Sequence, residues 1–283
     1  MVDPAWVALS LVERVGGKTM RALIAHFGSA QAVLAADSHE LRRVPGIGAV
    51  LAASIRAVDL STVEHDLPRW QAAGIRIILD NDPAYPPRLR ALDDAPPTLF
   101  IRGDWSDSLR QAQTVAIVGT RSPSDIALDA ARALAFDYAQ KGYVIVSGLA
   151  LGIDRAAHMG ALGAAGHTLA VLGGGLLNIY PPANKKLADA ICGQGALLSE
   201  SHPTAESKPA YLVARNRIIS GLCNMMIVVE TNHDGGAMHA ARWAREQQRP
   251  LYTLDIPASG NQQLIDQGAT PLDPFNLQVP LDS

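Results

Sequence analysis

The chain has 283 residues, 48% of them hydrophobic and 18% charged, which excludes a disordered chain and allows one large domain or a small and a medium one. The formal net charge of −3 excludes a uniformly basic nucleic-acid binder but leaves room for a local basic patch. No apolar run reaches the roughly 20 residues that span a bilayer, and two cysteines, Cys192 and Cys223, are too few for a disulfide framework or an all-cysteine zinc site.

Residues 1–60 carry helical signals. Trp6, Leu9, Val12 and Val15 recur at near-helical spacing, and Gly16-Gly17 breaks the pattern. Helices are predicted over 18–27 and 31–36. The turn Pro45-Gly46-Ile47-Gly48, flanked by apolar helical positions, resembles a helix-hairpin-helix motif. Its glycines let the backbone approach a partner closely, and the N–H groups of the next helix start can take a phosphate. The same turn also serves as a plain packing hairpin, and the sequence leaves both readings open.

Between 61 and 114, Leu67, Trp70 and Ala73 continue a helix, and short strands are predicted over 75–79 and 98–101. Proline-rich turns separate them at Pro83, Pro86-Pro87 and Pro96-Pro97. The domain boundary is expected near residue 65, giving a helical domain over 1–65 and a second domain over 66–283.

From Val115 the pattern alternates. Strands are predicted over 115–119, 143–147, 168–172, 196–199, 225–230 and 250–254, and helices over 125–141, 154–165, 184–193, 211–221 and 235–248. The strands are continuous apolar runs, as expected when helices cover both sheet faces. The fold class is therefore α/β: a doubly wound, mostly parallel sheet of extended Rossmann type, preceded by a small all-α domain. Ligands of such sheets bind at the carboxyl edge of the strands.

The candidate site residues cluster at that edge. Gly119, Arg121 and Ser122 follow the first strand, with a guanidinium fork suited to phosphate and a hydroxyl that can bond a ligand or, like Ser124, cap a helix. Ser147 and Gly148 end the second strand. The turn behind them is expected to present backbone N–H groups to an anion, with Asp154 as N-cap. His158, one helical turn on, shares a face with Asp154 and has no nucleophile in sequence reach, so a structural histidine is expected. Lys185 and Lys186 follow Gly173-Gly174-Gly175 and Tyr180-Pro181. Arg215, Asn216 and Arg217 open an apolar helix near the same edge, for phosphate contact or an internal ion pair. Glu230 ends a buried strand and is expected to orient Arg121 or Arg217, or to act as a catalytic carboxylate. His233 and His239 have no convincing metal partners. A Gly-x-Gly-x-x-Gly fingerprint and a Walker A loop are both missing, which argues against an ordinary NAD enzyme or P-loop NTPase.

Together Val115-Ala116-Ile117-Val118-Gly119-Thr120-Arg121-Ser122, Val146–Asp154 with His158, Ala170–Gly175 with Tyr180-Pro181, Leu198-Ser199-Glu200, Ala214–Leu222 and Leu264–Ala269 resemble the DNA-processing protein family called DprA or Smf, in order and in spacing. The resemblance covers about 100–270, and the helical lead-in fits the same family, whose N-terminal domain is SAM-like. It implies an extended Rossmann domain that binds single-stranded DNA without catalysing a reaction on it. It further implies a homodimer that loads the recombinase RecA onto incoming DNA in natural transformation. By resemblance the DNA-binding arginine is Arg121, the lysine after Tyr-Pro is Lys185 or Lys186, and the Arg-Asn-Arg pair is Arg215 and Arg217. Gly235-Gly236-Ala237-Met238-His239-Ala240 departs from the family's usual Ser-Gly-Ser-Leu-Ile-Thr. No cofactor, no metal and no membrane partner are expected, and with no export leader in the sequence the expected location is the cytoplasm. The alternatives are a nucleotide-binding enzyme of the lonely-guy phosphoribohydrolase type, using Glu230 and Arg121, and a nucleotide-sensing module.

Overall fold

The computed structural model of the chain describes residues 2–277, so 278–283 of the expected second domain lie outside the described residues. Contacts divide the chain into two compact units. One is Met1–Phe100 with Glu200–His202, and the other is Ile101–Ser199 with Pro203–Ser283.

The first unit begins with helices Pro4–Ser10, Gly17–Phe27, Ala30–Ala35, Ser38–Leu41, Ala49–Arg56 and Leu60–Ala72. Local chemistry starts them: Asp3, Ser29, Asp37 and Asp59 each accept from a first-turn N–H, and Asp37 with Glu40 forms a capping box. Leu9, Met20, Leu23, Leu41 and Ile55 are buried against one another. In the hairpin, Gly46 sits at φ 87°, where a side chain would be strained. Ile47 turns into the core while Val50 stays 74% exposed. Strand β1 (Ile75–Leu79) follows, and β2 (Thr98–Gly103) carries the chain from the first unit into the second.

The second unit contains β3 (Thr114–Val118), β4 (Val144–Ser147), β5 (Thr168–Val171), β6 (Gly195–Ser199), β7 (Met225–Val228), β8 (Leu251–Leu254) and β9 (Thr270–Leu272). These seven lie in the order β6-β5-β4-β3-β7-β8-β9. Every adjacent pair among them is parallel. The register sets Ala116 beside Val146 on one side and Met226 on the other. The sheet grows from β3 in both directions, and because parallel crossovers are right-handed as a rule, reversing their direction puts helices on both faces. Helices Asp125–Gln140 and Ile153–Gly163 bury Ala127, Ala131, Leu134, Ala157 and Ala161 with Val115, Ile117 and Ile145. Gly160 makes that approach possible, because a Cβ there would run into the carbonyl of Arg132.

The alternating α/β pattern is as expected from the sequence, with these differences. The helix expected over 211–221 is two, Pro209–Ala214 and Asn216–Leu222, interrupted at Arg215. The Arg215 carbonyl accepts from both Ile218 and Ile219, a tight turn that lets its side chain leave the helix face and run under the sheet edge. The short helices Pro87–Arg90, Asp107–Gln111 and Ser259–Asp266 and the strand β9 went unpredicted.

Candidate nucleic-acid interface

The strand order reverses at β3, between β4 and β7, and the main cavity opens there. It measures about 530 Å³ and is lined by the turn after β3 (Gly119, Thr120, Arg121), by Arg215 and Asn216, and by the 231–237 segment after β7. A crevice at the carboxyl ends of strands where order reverses is where doubly wound sheets take ligands.

The turn after β3 is fixed from two sides. Thr120 N–H donates to the Glu230 carbonyl at 2.8 Å, and Ile153 N–H donates to the Thr120 carbonyl at 3.2 Å. Gly119 is required by space: a Cβ there would lie 2.6 Å from Ile153 Cγ1 and 2.9 Å from the Glu230 carbonyl oxygen. Arg121 therefore stands on a rigid base, exposed, at the cavity wall. Ser122 is exposed beside it but outside the cavity lining, and Ser124 is the helix cap, accepting from Ala127 N–H.

The Glu230 carboxylate accepts from the backbone N–H of Ser124 at 2.7 Å and from its hydroxyl at 3.1 Å. It holds the start of helix Asp125–Gln140, and this corrects the expectation that it orients Arg121 or Arg217.

The turn after β4 corrects a second expectation. Gly152, not Asp154, is the N-cap of helix Ile153–Gly163. Asp154 points back into the turn and its Oδ2 accepts from Gly148 N–H at 3.1 Å and Ala150 N–H at 3.3 Å. The N–H groups expected to receive an external anion are occupied by the chain's own carboxylate. Asn184 holds the turn's other side, donating to the carbonyls of Leu149 (2.9 Å) and Ala150 (3.2 Å).

Arg215 completes this floor. Its Nη1 donates to the Val171 carbonyl at 2.8 Å, its Nε donates to Leu212 O at 3.2 Å, and its Nη2 lies 3.8 Å from Asp154 Oδ2. Its guanidinium fills the space a Cβ on Gly148 would need. Burial raises the Asp154 pKa while Arg215 and the two N–H donors pull it back, and burial also lowers that of Arg215. Of the three arginines predicted for phosphate contact, Arg215 thus makes the internal ion pair that the sequence left open.

The remaining predicted residues fall in three places. Ser147 is fully buried, and its hydroxyl donates to the Ile117 carbonyl at 2.6 Å, bracing β4 against β3. A hydroxyl sealed between strands is out of reach of a ligand, so Ser147 and Gly148 build the floor rather than face the cavity. Asn216 lines the cavity, with its amide 3.4 Å from the Gly236 carbonyl. Lys185 and Lys186 are exposed at the start of helix Lys185–Gln194, and Arg217 is half-buried; these three lie outside the cavity lining.

His158 is buried below the same turn. Its Nδ1 lies 2.7 Å from the Thr168 hydroxyl, which itself donates to the Ile145 carbonyl at 2.8 Å. The hydroxyl's proton is committed there, so Nδ1–H is the donor. Burial first, and then the Arg215 charge, lower its pKa to about 3.

The sequence did not single out Thr231, Asn232, Asp234 or Tyr180 as site residues, although all four line the cavity. The topological rule alone could have pointed to the first three, since they follow β7. Tyr180 read as part of a proline turn, and its peptide bond to Pro181 is cis. Among the described residues there is no cluster of His, Cys, Asp or Glu able to hold a metal ion, and no helix long and apolar enough to cross a membrane.

A family model described as DNA recombination-mediator protein A matches residues 76–278. The chain belongs to the DNA recombination-mediator protein A family. A second model, a SAM-like helix-hairpin-helix tandem, matches residues 8–57. Protein Smf of Synechocystis is 35% identical over 273 residues, covering 93% of this chain and 68% of the relative. The X-ray structure of DNA processing protein A from Streptococcus pneumoniae superposes with a TM-score of 0.80 at 28% identity, over 96% of this chain and 95% of that one. DNA processing protein A from Helicobacter pylori, solved for its single-stranded DNA binding mode, matches with a TM-score of 0.65 at 31% identity, over 72% and 92%. Family and fold, including the helical lead-in, are those expected from the motifs.

Proposed function

We propose that this chain is a recombination mediator that binds single-stranded DNA at the carboxyl edge of its sheet and catalyses no reaction on it. The observation that carries the reading is Arg121, exposed on a braced turn at a cavity where the strand order reverses, in a family whose Helicobacter pylori member was solved for its single-stranded DNA binding mode. In this reading Arg121, Lys185, Lys186 and Arg217 hold backbone phosphates. Gly119, Ser122 and Asn216 shape the contact, and Ser147, Gly148 and Arg215 keep the floor rigid. We further propose that it acts as a cytoplasmic homodimer, loads RecA on incoming DNA in natural transformation, and works through a helical domain over 1–65 and a DNA-binding domain over 66–283. The engagement of Glu230 with Ser124 weighs against a phosphoribohydrolase, which would need that carboxylate free.

The test is fluorescence anisotropy with a labelled single strand and a duplex of equal length across a salt series. Four neutralised phosphates on a single strand give a slope of log K against log salt of roughly −3. Arg121→Glu and the pair Lys185→Glu/Lys186→Glu should each weaken binding while leaving the fold intact. No binding at low salt by folded protein, or release of free base from AMP, would sink the reading.

A further inference from the structure

Tyr180 is 44% exposed and Leu151 is 39% exposed. Together with Pro181 and Leu212 they wall a second hollow, which the exposed Arg121 and the buried Arg215 also line. Leu177, three residues before Tyr180, is 45% exposed as well. Three of the unit's exposed large apolar side chains thus lie close together in sequence or at one hollow, while Met159 and Phe275 are the others among the described residues. The shelf is held firmly. The loop beneath Tyr180 is tied by Gly175 N–H to the Ala205 carbonyl (2.9 Å) and Leu177 N–H to the Pro203 carbonyl (2.8 Å). Asn184, just past the shelf, bonds the Leu149 and Ala150 carbonyls that precede Leu151.

We propose that Tyr180, with Leu151 and Pro181, is a stacking platform for an unpaired nucleobase, and that it gives the site its preference for single strands. This rests on the single-stranded DNA reading above. The hollow is only about 40 Å³, too small to enclose a base, so the base lies on the ring rather than inside the hollow. Arg121 lines both this hollow and the main cavity. A phosphate held by Arg121 therefore brings its own or the next base over Tyr180. A flat apolar face bordered by a guanidinium matches a nucleotide with an exposed π-face and an adjacent phosphate. In a duplex that face is covered by its neighbours, and the platform gains nothing.

The test compares three labelled oligonucleotides of equal length: an ordinary single strand, a strand abasic through its central half, and a duplex. Each is titrated with the full chain as wild type, Tyr180→Ala and Tyr180→Phe. The wild type should bind the ordinary strand about tenfold tighter than the abasic one, the scale of one stacked base. Tyr180→Ala should lose most of that difference and keep the salt slope, since the phosphate contacts are unchanged. Tyr180→Phe should keep both. Equal wild-type affinity for ordinary and abasic strands overturns the platform while leaving phosphate binding standing, and that comparison needs no variant to fold. A Tyr180→Ala protein that still discriminates as the wild type does also overturns it. Absence of binding to either strand at low salt overturns the single-stranded DNA reading and the platform together.

Discussion

Asp154 and Arg215 meet beneath the cavity with Oδ2 and Nη2 3.8 Å apart and side chains 5% and 7% exposed. Through this one pair the turn after β4, the end of β5 at Val171 and the helix Pro209–Ala214 are tied into a single floor. Two buried charges are costly to desolvate, and here each is repaid by further hydrogen bonds as well as by its partner. The carboxylate sits where a sheet-edge turn commonly receives a ligand phosphate, so the protein supplies its own anion and leaves Arg121 as the outward-facing cation.

Removing that internal anion should open a phosphate seat. In Asp154→Asn the Arg215 charge is no longer neutralised, and the Gly148 and Ala150 N–H groups keep their shared acceptor only if the amide oxygen takes the place of Oδ2. The expected outcome is tighter single-strand binding at low salt and a slope of log K against log salt steeper by about 0.7, one extra phosphate. Anisotropy titrations over a salt series measure this. A shallower slope in a folded variant would show that Arg215 cannot be reached by DNA even when unpaired.

Gly148 is expected to tolerate no side chain. In Gly148→Ala the methyl group would overlap the Arg215 guanidinium, which must then leave its place between Val171 and Asp154. Breaking one side of a buried ion pair costs about 3–5 kcal/mol, so a loss near 3 kcal/mol is expected in urea unfolding at pH 7. A loss below about 1 kcal/mol would mean the guanidinium repacks freely, at odds with its buried hydrogen bonds.

How much of this was legible in the sequence follows from what kind of signal each feature leaves. The apolar runs ending in glycine located the edge, because buried parallel strands have to be apolar and their turns have to be tight. Arg121 was visible for the same reason. What Asp154, Glu230 and Arg215 do was not. Each is a charged residue at a turn, and residue type does not tell whether the charge faces solvent, a helix start or another buried charge; the partners come from 61 residues away for Asp154–Arg215 and 106 for Glu230–Ser124. Tyr180 was hidden because Tyr180-Pro181 read as a turn, and a turn residue's exposure beside a cavity leaves no mark in the sequence.

Glu230 should behave as a cap. Glu230→Gln keeps the shape but weakens the bonds to the Ser124 N–H and hydroxyl, for an expected cost of about 1 kcal/mol. Thermal unfolding should fall by a few degrees, while single-strand affinity changes little because Glu230 neither lines the cavity nor, in this structure, holds Arg121. Affinity falling tenfold at unchanged stability would return Glu230 to the binding machinery.

His158 should make the fold acid-sensitive. Its folded pKa of about 3 lies below the ordinary value of 6.5, so the unfolded chain binds the extra proton between those limits. The sign follows: its contribution to stability is complete above pH 6.5 and is lost as pH falls toward 3, with a slope of at most about 1.4 kcal/mol per pH unit. Asp154, whose pKa burial raises, acts the other way above 3.8, where the folded state takes the proton first. The two effects separate in a variant. His158→Asn can donate to Thr168 without titrating, so the difference between wild type and variant in urea unfolding from pH 7 to pH 4 isolates the histidine. The gap should narrow steadily with acid. A gap that stays constant over that range would mean the ring accepts a proton as readily inside the protein as outside it, and that Arg215 is not the neighbouring charge holding it neutral.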